Sequence, residues 1–324
     1  MARTLAIVER LPGHTEVMGA FASLAQKLGY EPHLFFESRD PFHMVDYFRT
    51  RLSLGAGQIH EWSEITNLAP QFEVILLNTS NVWLDYGPWL EQWDALERLI
   101  VVHHHPEDIE LNPYGAPVYL TPAAGEEKWI FPLYCQPSTP LESGRENALR
   151  RGATDLPPLT CIGALEGKDI AGASAYLQTG GRLVHYERYR RDNFSAHPGL
   201  YALRVGLGGM QFMAALAQEP KPTFIWLPIL PNSDYMMCRL TGALTLGVDL
   251  NGIMVMPERL RQLYGFPEPA VITYDTSITE PACLEKLRAS PMQQEERRRQ
   301  LHRWAAERWK KNLEVFQTLL EFRK

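Results

Sequence analysis

A chain of 324 residues is longer than one hydrophobic core usually serves and suits two α/β domains. With 45% hydrophobic and 22% charged residues it has an ordinary globular make-up, and no apolar run reaches the roughly 18 residues that span a bilayer. A formal net charge of -6 argues against a general nucleic-acid footprint, while leaving room for a local basic groove. The opening residues pass straight into a strand pattern without signal-peptide architecture, so a cytoplasmic location is expected. Cys135, Cys161, Cys238 and Cys283 are far apart and show no CxxC spacing, which reads as reduced packing residues and neither disulfides nor a zinc site.

Residues 4–8 (TLAIV) read as the first strand. A loop carrying Pro12-Gly13-His14 follows, and Thr15 can cap a helix over 16–28, with Val17, Phe21, Leu24 and Leu28 three or four apart on one buried face. Gly29 ends that helix. Residues 33–36, 74–77 and 99–102 read as buried strands, and 118–120 and 129–131 as a fifth and sixth. Polar groups stand directly after two of them: Asn78-Thr79-Ser80-Asn81 and His103-His104-His105. Strands alternating with helical patterns predict a parallel sheet, and such sheets collect ligands past their strands' carboxyl ends. From 136 to 158 the chain turns rich in Pro, Ser and charge, which places a linker or surface excursion and a domain boundary there.

The alternation then repeats. Strands are predicted over 160–163, 182–186, 223–227, 252–256 and 271–274, with helices over 170–178, 207–216, 235–246, 258–264, 277–287 and 293–322. The last is charged and amphipathic, its apolar stripe supplied by Trp304, Trp309, Leu313, Phe316 and Leu320. In the stretch 231–257, Asn232, Ser233 and Asp234 are good N-cap residues, and a helix start there offers unpaired N–H groups and a dipole that favour anions.

His14, between the first strand and first helix, is a candidate general base, because an imidazole titrates near working pH. Three consecutive histidines at 103–105 do not converge easily on one ion, since alternate residues of an extended segment point opposite ways. A site-lining role for one or two of them, beside Glu107 and Asp108, is the better reading. Lys168 and the arginines at 188, 190 and 191 are candidate phosphate partners, against the plainer reading of solvated charge. GxGxxG, Walker, HExxH and GxSxG signatures are absent from the sequence.

The segment Leu11-Pro-Gly-His-Thr-Glu and the helix it opens, ending in Gly29-Tyr30, resemble the opening of GT-B glycosyltransferases. The segment from Ser233 to Pro257 is similar to their donor-site element, and the Gly163…Lys168-Asp169 turn resembles the loop after the first strand of their second domain. The resemblance implies an α/β chain of two Rossmann-like domains facing across a cleft: an acceptor domain over 1–145, a nucleotide-sugar domain over 146–300, and a terminal helix, 301–324, returning to the first. It implies sugar transfer from a nucleotide-diphosphate sugar to an acceptor hydroxyl, without a metal or other cofactor. Donor binding then falls to the N–H groups of Ser233, Asp234 and Tyr235, with Gly163, Lys168 and Arg188 assisting. Arg239, Thr241 and Gly242 of the donor helix stand where the family shows other residues, and Asp234 and Glu258 are the carboxylate candidates for a ribose. Asn78, Ser80, His103, His104 and His105 are the acceptor-side candidates. The acceptor stays open between a glycan, a small molecule and DNA, the last disfavoured by the acidic balance; the oligomeric state also stays open. The alternatives are a nucleotide-sugar epimerase of the same architecture and a non-catalytic nucleotide-binding protein.

Overall fold

A computed structural model describes residues 3–10, 14–36, 44–79, 96–105, 107, 115–125, 128–133, 156–163, 169–187, 201–205, 224–230, 233, 236 and 242–321. Outside them lie Ser80, Asp108, Lys168, Arg188, Asp234, Tyr235, Arg239, Thr241, two of the cysteines (Cys135 and Cys238), the arginines at 190 and 191, the helix expected over 207–216 and most of the expected linker.

The chain divides into two compact units, one holding the described residues of 1–136 and 308–321, the other those of 156–236 and 242–307. In the first, the elements run β1 (Arg3–Val8), α1 (Thr15–Lys27), β2 (Tyr30–Phe36), α2 (Met44–Leu52), β3 (Ile59–Glu61), α3 (Ile65–Leu68), β4 (Val74–Leu77), β5 (Leu99–His103) and β6 (Ala116–Tyr119). They form a parallel six-stranded sheet in the order β3-β2-β1-β4-β5-β6. The strands are near-continuous apolar runs, as a sheet covered on both faces requires: Leu5 through Val8, Val74 through Leu77 and Leu99 through Val102 are all buried. Gly29, at φ +80°, takes the left-handed conformation that lets α1 stop and the chain turn into β2.

The second unit runs β7 (Pro158–Ile162), α4 (Ile170–Gln178), β8 (Arg182–Glu187), β9 (Tyr201–Val205), β10 (Phe224–Trp226), α5 (Gly242–Asp249), β11 (Ile253–Pro257), α6 (Glu258–Tyr264), β12 (Ile272–Tyr274), α7 (Pro281–Leu287) and the start of α8 (Pro291–Glu321), whose residues from 308 on belong to the first unit. Its sheet is also parallel and six-stranded, ordered β12-β11-β10-β7-β8-β9. Renumbered from its own first strand this is 6-5-4-1-2-3, the first sheet's order read from the opposite edge. Each unit therefore has one topological switch point: between β1 and β4 in the first, between β7 and β10 in the second. The core of the second sheet is built by Leu159, Cys161, Tyr176, Phe224, Trp226, Val255 and Ile272. Cys161 and Cys283 are buried there, and neither is in a disulfide.

The corrections fall at sheet edges and in one long stretch. The strand expected at 129–131 is an isolated bridge of Trp129 to Tyr119 beside β6, and the sixth strand is β3, at the opposite edge of the sheet. β3 was invisible because Ile-His-Glu is three residues of mixed polarity on an edge, half-buried throughout. β9, another edge strand, was also missed, although Tyr201, Leu203 and Val205 alternate with Ala202 and Arg204 at the strand period. The helix expected over 235–246 is, among the described residues, Gly242–Asp249, preceded by a 3-10 turn at Met236 and a bend at Ser233. α5 runs past the expected end because Leu246, Gly247 and Val248 stay buried, and Gly247 lets the helix lie close to Met254 and Ile225. Among the described residues no helix is long and apolar enough to cross a membrane.

Candidate functional site

The switch point of the first sheet brings together polar groups from the ends of β1, β4 and β5. Glu9 directly follows β1, and its N–H continues the ladder by donating to the Phe35 carbonyl at 2.8 Å. Its carboxylate is only 1% exposed. A carboxylate buried this deeply requires donors. Asn78 supplies Nδ2 at 2.7 Å and Thr79 its hydroxyl, both from the end of β4. The same Asn78 nitrogen also donates to the main-chain oxygen of His14 at 3.0 Å. His14 is the N-cap residue of α1, and its side chain makes no capping bond to the helix.

His104 completes the arrangement from the end of β5. Its Nε2 lies 3.1 Å from the Asn78 carbonyl, and because a carbonyl only accepts, Nε2 carries the proton. The ring meets that of His14 edge to face, with centroids 4.2 Å apart and an interplanar angle of 68°. His14 and His104 are both half-buried. The other two histidines of the run diverge from it. His103 is fully buried against the Tyr119 ring, and burial, aided by the neighbouring His104, lowers its pKa to about 4. His105 turns towards Glu107, whose N–H donates to its Nδ1 at 3.4 Å. Among the described residues no three His, Cys, Asp or Glu side chains converge as a metal site.

At the switch point of the second sheet, Gly163 follows β7 at φ +84°, a left-handed conformation suited to glycine. Its N–H donates to Tyr186, and its carbonyl accepts from Nε2 of the fully buried His185 at 2.7 Å. Asp169 caps α4 by accepting from the Gly172 N–H at 2.7 Å, while its own N–H donates to Pro228 just past β10. A Cβ at position 172 would lie 2.1 Å from the Asp169 carboxylate, so the cap needs glycine there. Ser233 donates its N–H to Leu230 at 3.0 Å and accepts from Met236 at 2.9 Å. Gly242 begins α5, its carbonyl accepting from the Thr245 hydroxyl. Glu258 opens α6 with its carboxylate gripped by Arg261 and Gln262, and the Arg261 bond is the main reason its pKa falls.

Of the residues singled out in the sequence, the structure brings His14, Asn78 and His104 together at one sheet edge, while His103 is buried against Tyr119 and His105 turns to Glu107. Gly163, Ser233, Gly242 and Glu258 belong to the second unit. Thr79 stood in the polar run noted after β4, whereas Glu9, His185 and the Asp169 cap were missed. The rule that pointed to Asn78, a polar residue directly after an apolar parallel strand, applies equally to Glu9.

No family model matches the chain, and none of the curated proteins compared with it matches in sequence. Solved structures do match in fold. A glycosyltransferase from Rickettsia africae ESF-5 aligns with a TM-score of 0.60 at 8% identity, covering 99% of this chain and 98% of that one. HepE from Anabaena, in complex with UDP, gives 0.59 at 10% identity, with 98% and 99% covered. A putative UDP-N-acetylglucosamine 2-epimerase from Listeria monocytogenes gives 0.55 at 10% identity, with 98% and 95% covered. Two parallel α/β units, each wound in the same strand order, and full-length likeness to these proteins show that this chain has the GT-B fold of glycosyltransferases.

Proposed function

We propose that the protein is a glycosyltransferase that moves a sugar from a nucleotide-diphosphate sugar to an acceptor hydroxyl, with His14 as the base. The observation that carries this reading is the placement of His14. It stands at the switch point of the first sheet, where parallel sheets bind ligands, with its carbonyl held by Asn78 and its ring against His104. In the reaction the acceptor oxygen attacks the anomeric carbon as the bond to the diphosphate breaks. The hydroxyl proton passes to an imidazole nitrogen of His14, and the nucleotide diphosphate leaves with the bonding pair, inverting the anomeric centre. UDP bound to the structurally similar HepE supports a nucleotide donor. The donor falls to the second unit, with Gly163, Ser233, Gly242 and Glu258 as described candidates. Lys168, Arg188, Asp234, Tyr235, Arg239 and Thr241 are candidates from the sequence alone. No metal is needed, because helix N-termini and side-chain donors meet the leaving-group charge.

Epimerisation of the donor is the second reading, favoured by the likeness to the Listeria monocytogenes epimerase. Two measurements test the function. A melting-temperature screen against UDP, GDP, dTDP and their sugars should show stabilisation by at least one, since a ligand bound only by the native state raises apparent stability. Product analysis with and without acceptor then separates transfer from epimerisation, which proceeds without acceptor. Failure of every sugar nucleotide to raise the melting temperature would remove both readings.

A further inference from the structure

We propose that Asn78 is a positioning residue for His14. Its side-chain amide, anchored on the buried Glu9 carboxylate, holds the His14 carbonyl and so sets where the imidazole leaves the start of α1. This deepens the transferase reading and rests on it.

Asn78 is 0% exposed, so its side chain serves the protein interior. Its main-chain N–H donates to Val8 at 2.9 Å, which registers it at the end of β1. Its Nδ2 serves two acceptors, the Glu9 carboxylate at 2.7 Å and the His14 carbonyl at 3.0 Å. Two acceptors repel when nothing lies between them, and a primary amide has the two hydrogens needed to satisfy both. An aspartate at 78 would have none. The Asn78 carbonyl in turn receives the His104 ring at 3.1 Å, and that ring lies edgewise on His14. One residue therefore holds the His14 main chain directly and the neighbouring ring through its backbone. A base displaced by an ångström loses much of its rate advantage, so loss of this tie falls on the chemical step more than on donor affinity.

Two variants of the full chain test this. Asn78→Ala should lower kcat at least about tenfold, with the donor KM within about twofold of wild type. In a ¹³C-histidine-labelled sample it should also move the ring signals of His14 and His104, assigned with His14→Gln and His104→Gln. The double variant Glu9→Gln with Asn78→Asp keeps one buried carboxylate and one hydrogen bond between positions 9 and 78, now donated by Gln. It has no hydrogen at position 78 to donate to the His14 carbonyl. It should recover melting temperature relative to Asn78→Ala yet recover neither kcat nor the His14 signal. A folded Asn78→Ala with wild-type kcat and an unmoved His14 signal would overturn the proposal, as would a double variant that restores both. If wild type transfers no sugar, the transferase reading fails, and the His14 signals alone still decide whether Asn78 positions that ring.

Discussion

The guanidinium of Arg308 lies 3.6 Å from the centroid of the Trp129 ring, and its Nη2 donates to the Trp129 carbonyl at 2.9 Å. One helical turn on, Asn312 accepts from the Phe131 N–H at 3.1 Å and donates to the Phe131 carbonyl at 2.6 Å, in the manner of a neighbouring strand. Both side chains are buried polar groups of α8. The backbone at 129–131, which reads as a strand, thus gives bonds of Trp129 and Phe131 to a helix, while the Ile130 N–H donates to Tyr119 at 2.8 Å. Asn312→Ala should leave the Phe131 N–H buried without its Asn312 acceptor and its carbonyl with the Leu133 N–H alone, costing about 1–3 kcal/mol in urea denaturation. Arg308→Lys keeps the charge but loses the planar fork, and should cost about 1–2 kcal/mol. Changes within experimental error would show that this seam adds nothing to stability.

Replacing the proposed base should separate binding from chemistry. His14→Ala should reduce transfer about a hundredfold or more, the usual scale for a general base, while the stabilisation by nucleotide stays at the wild-type value. His104→Ala, which removes the ring packed on His14 and its bond to the Asn78 carbonyl, should lose less. Unchanged turnover in a folded His14→Ala protein would take His14 out of the mechanism.

Acid should weaken the fold through His103. Its folded pKa of about 4 lies below the ordinary 6.5, so below pH 6.5 the unfolded chain binds a proton that the folded chain refuses. Stability is therefore present above pH 6.5 and lost as the pH falls from 6.5 towards 4, by about 1.4 kcal/mol per unit and roughly 3 kcal/mol in all. His33, also lowered by burial and by His60, acts in the same direction. Urea titrations between pH 7 and 4.5 should show a shallower loss in His103→Gln than in wild type. Parallel curves would assign the acid limb to other groups.

Glu280 governs a lower window. Burial by itself raises its carboxyl, but the N–H groups of Thr276, Ser277 and Asp275 and the Thr276 hydroxyl outweigh that and hold it at about 2. The group is depressed below its ordinary 4.5, so its contribution is present above pH 4.5 and lost as the pH falls towards 2. Glu280→Ala should free the loop before α7 and destabilise the protein at neutral pH by about 1–2 kcal/mol. Amide exchange should quicken at residues 275–277, and unchanged exchange there would contradict the assignment.

What the amino-acid order decided by itself was the alternation. β4, α4 and α6 lie on the expected residues, because an apolar run or a helical period signals burial without reference to any partner. Tertiary structure decided the partners. β3 and β9 exist because a neighbouring strand offers an edge, and the backbone at 129–131 is claimed by Asn312 from 181 residues away. Glu9, Asn78 and His14 likewise meet across separations of 64 and 69 residues. Local pattern tells which side chains leave water. It carries no trace of which donor a buried carboxylate will find, since that depends on the order in which the strands pair and on where their ends fall in register.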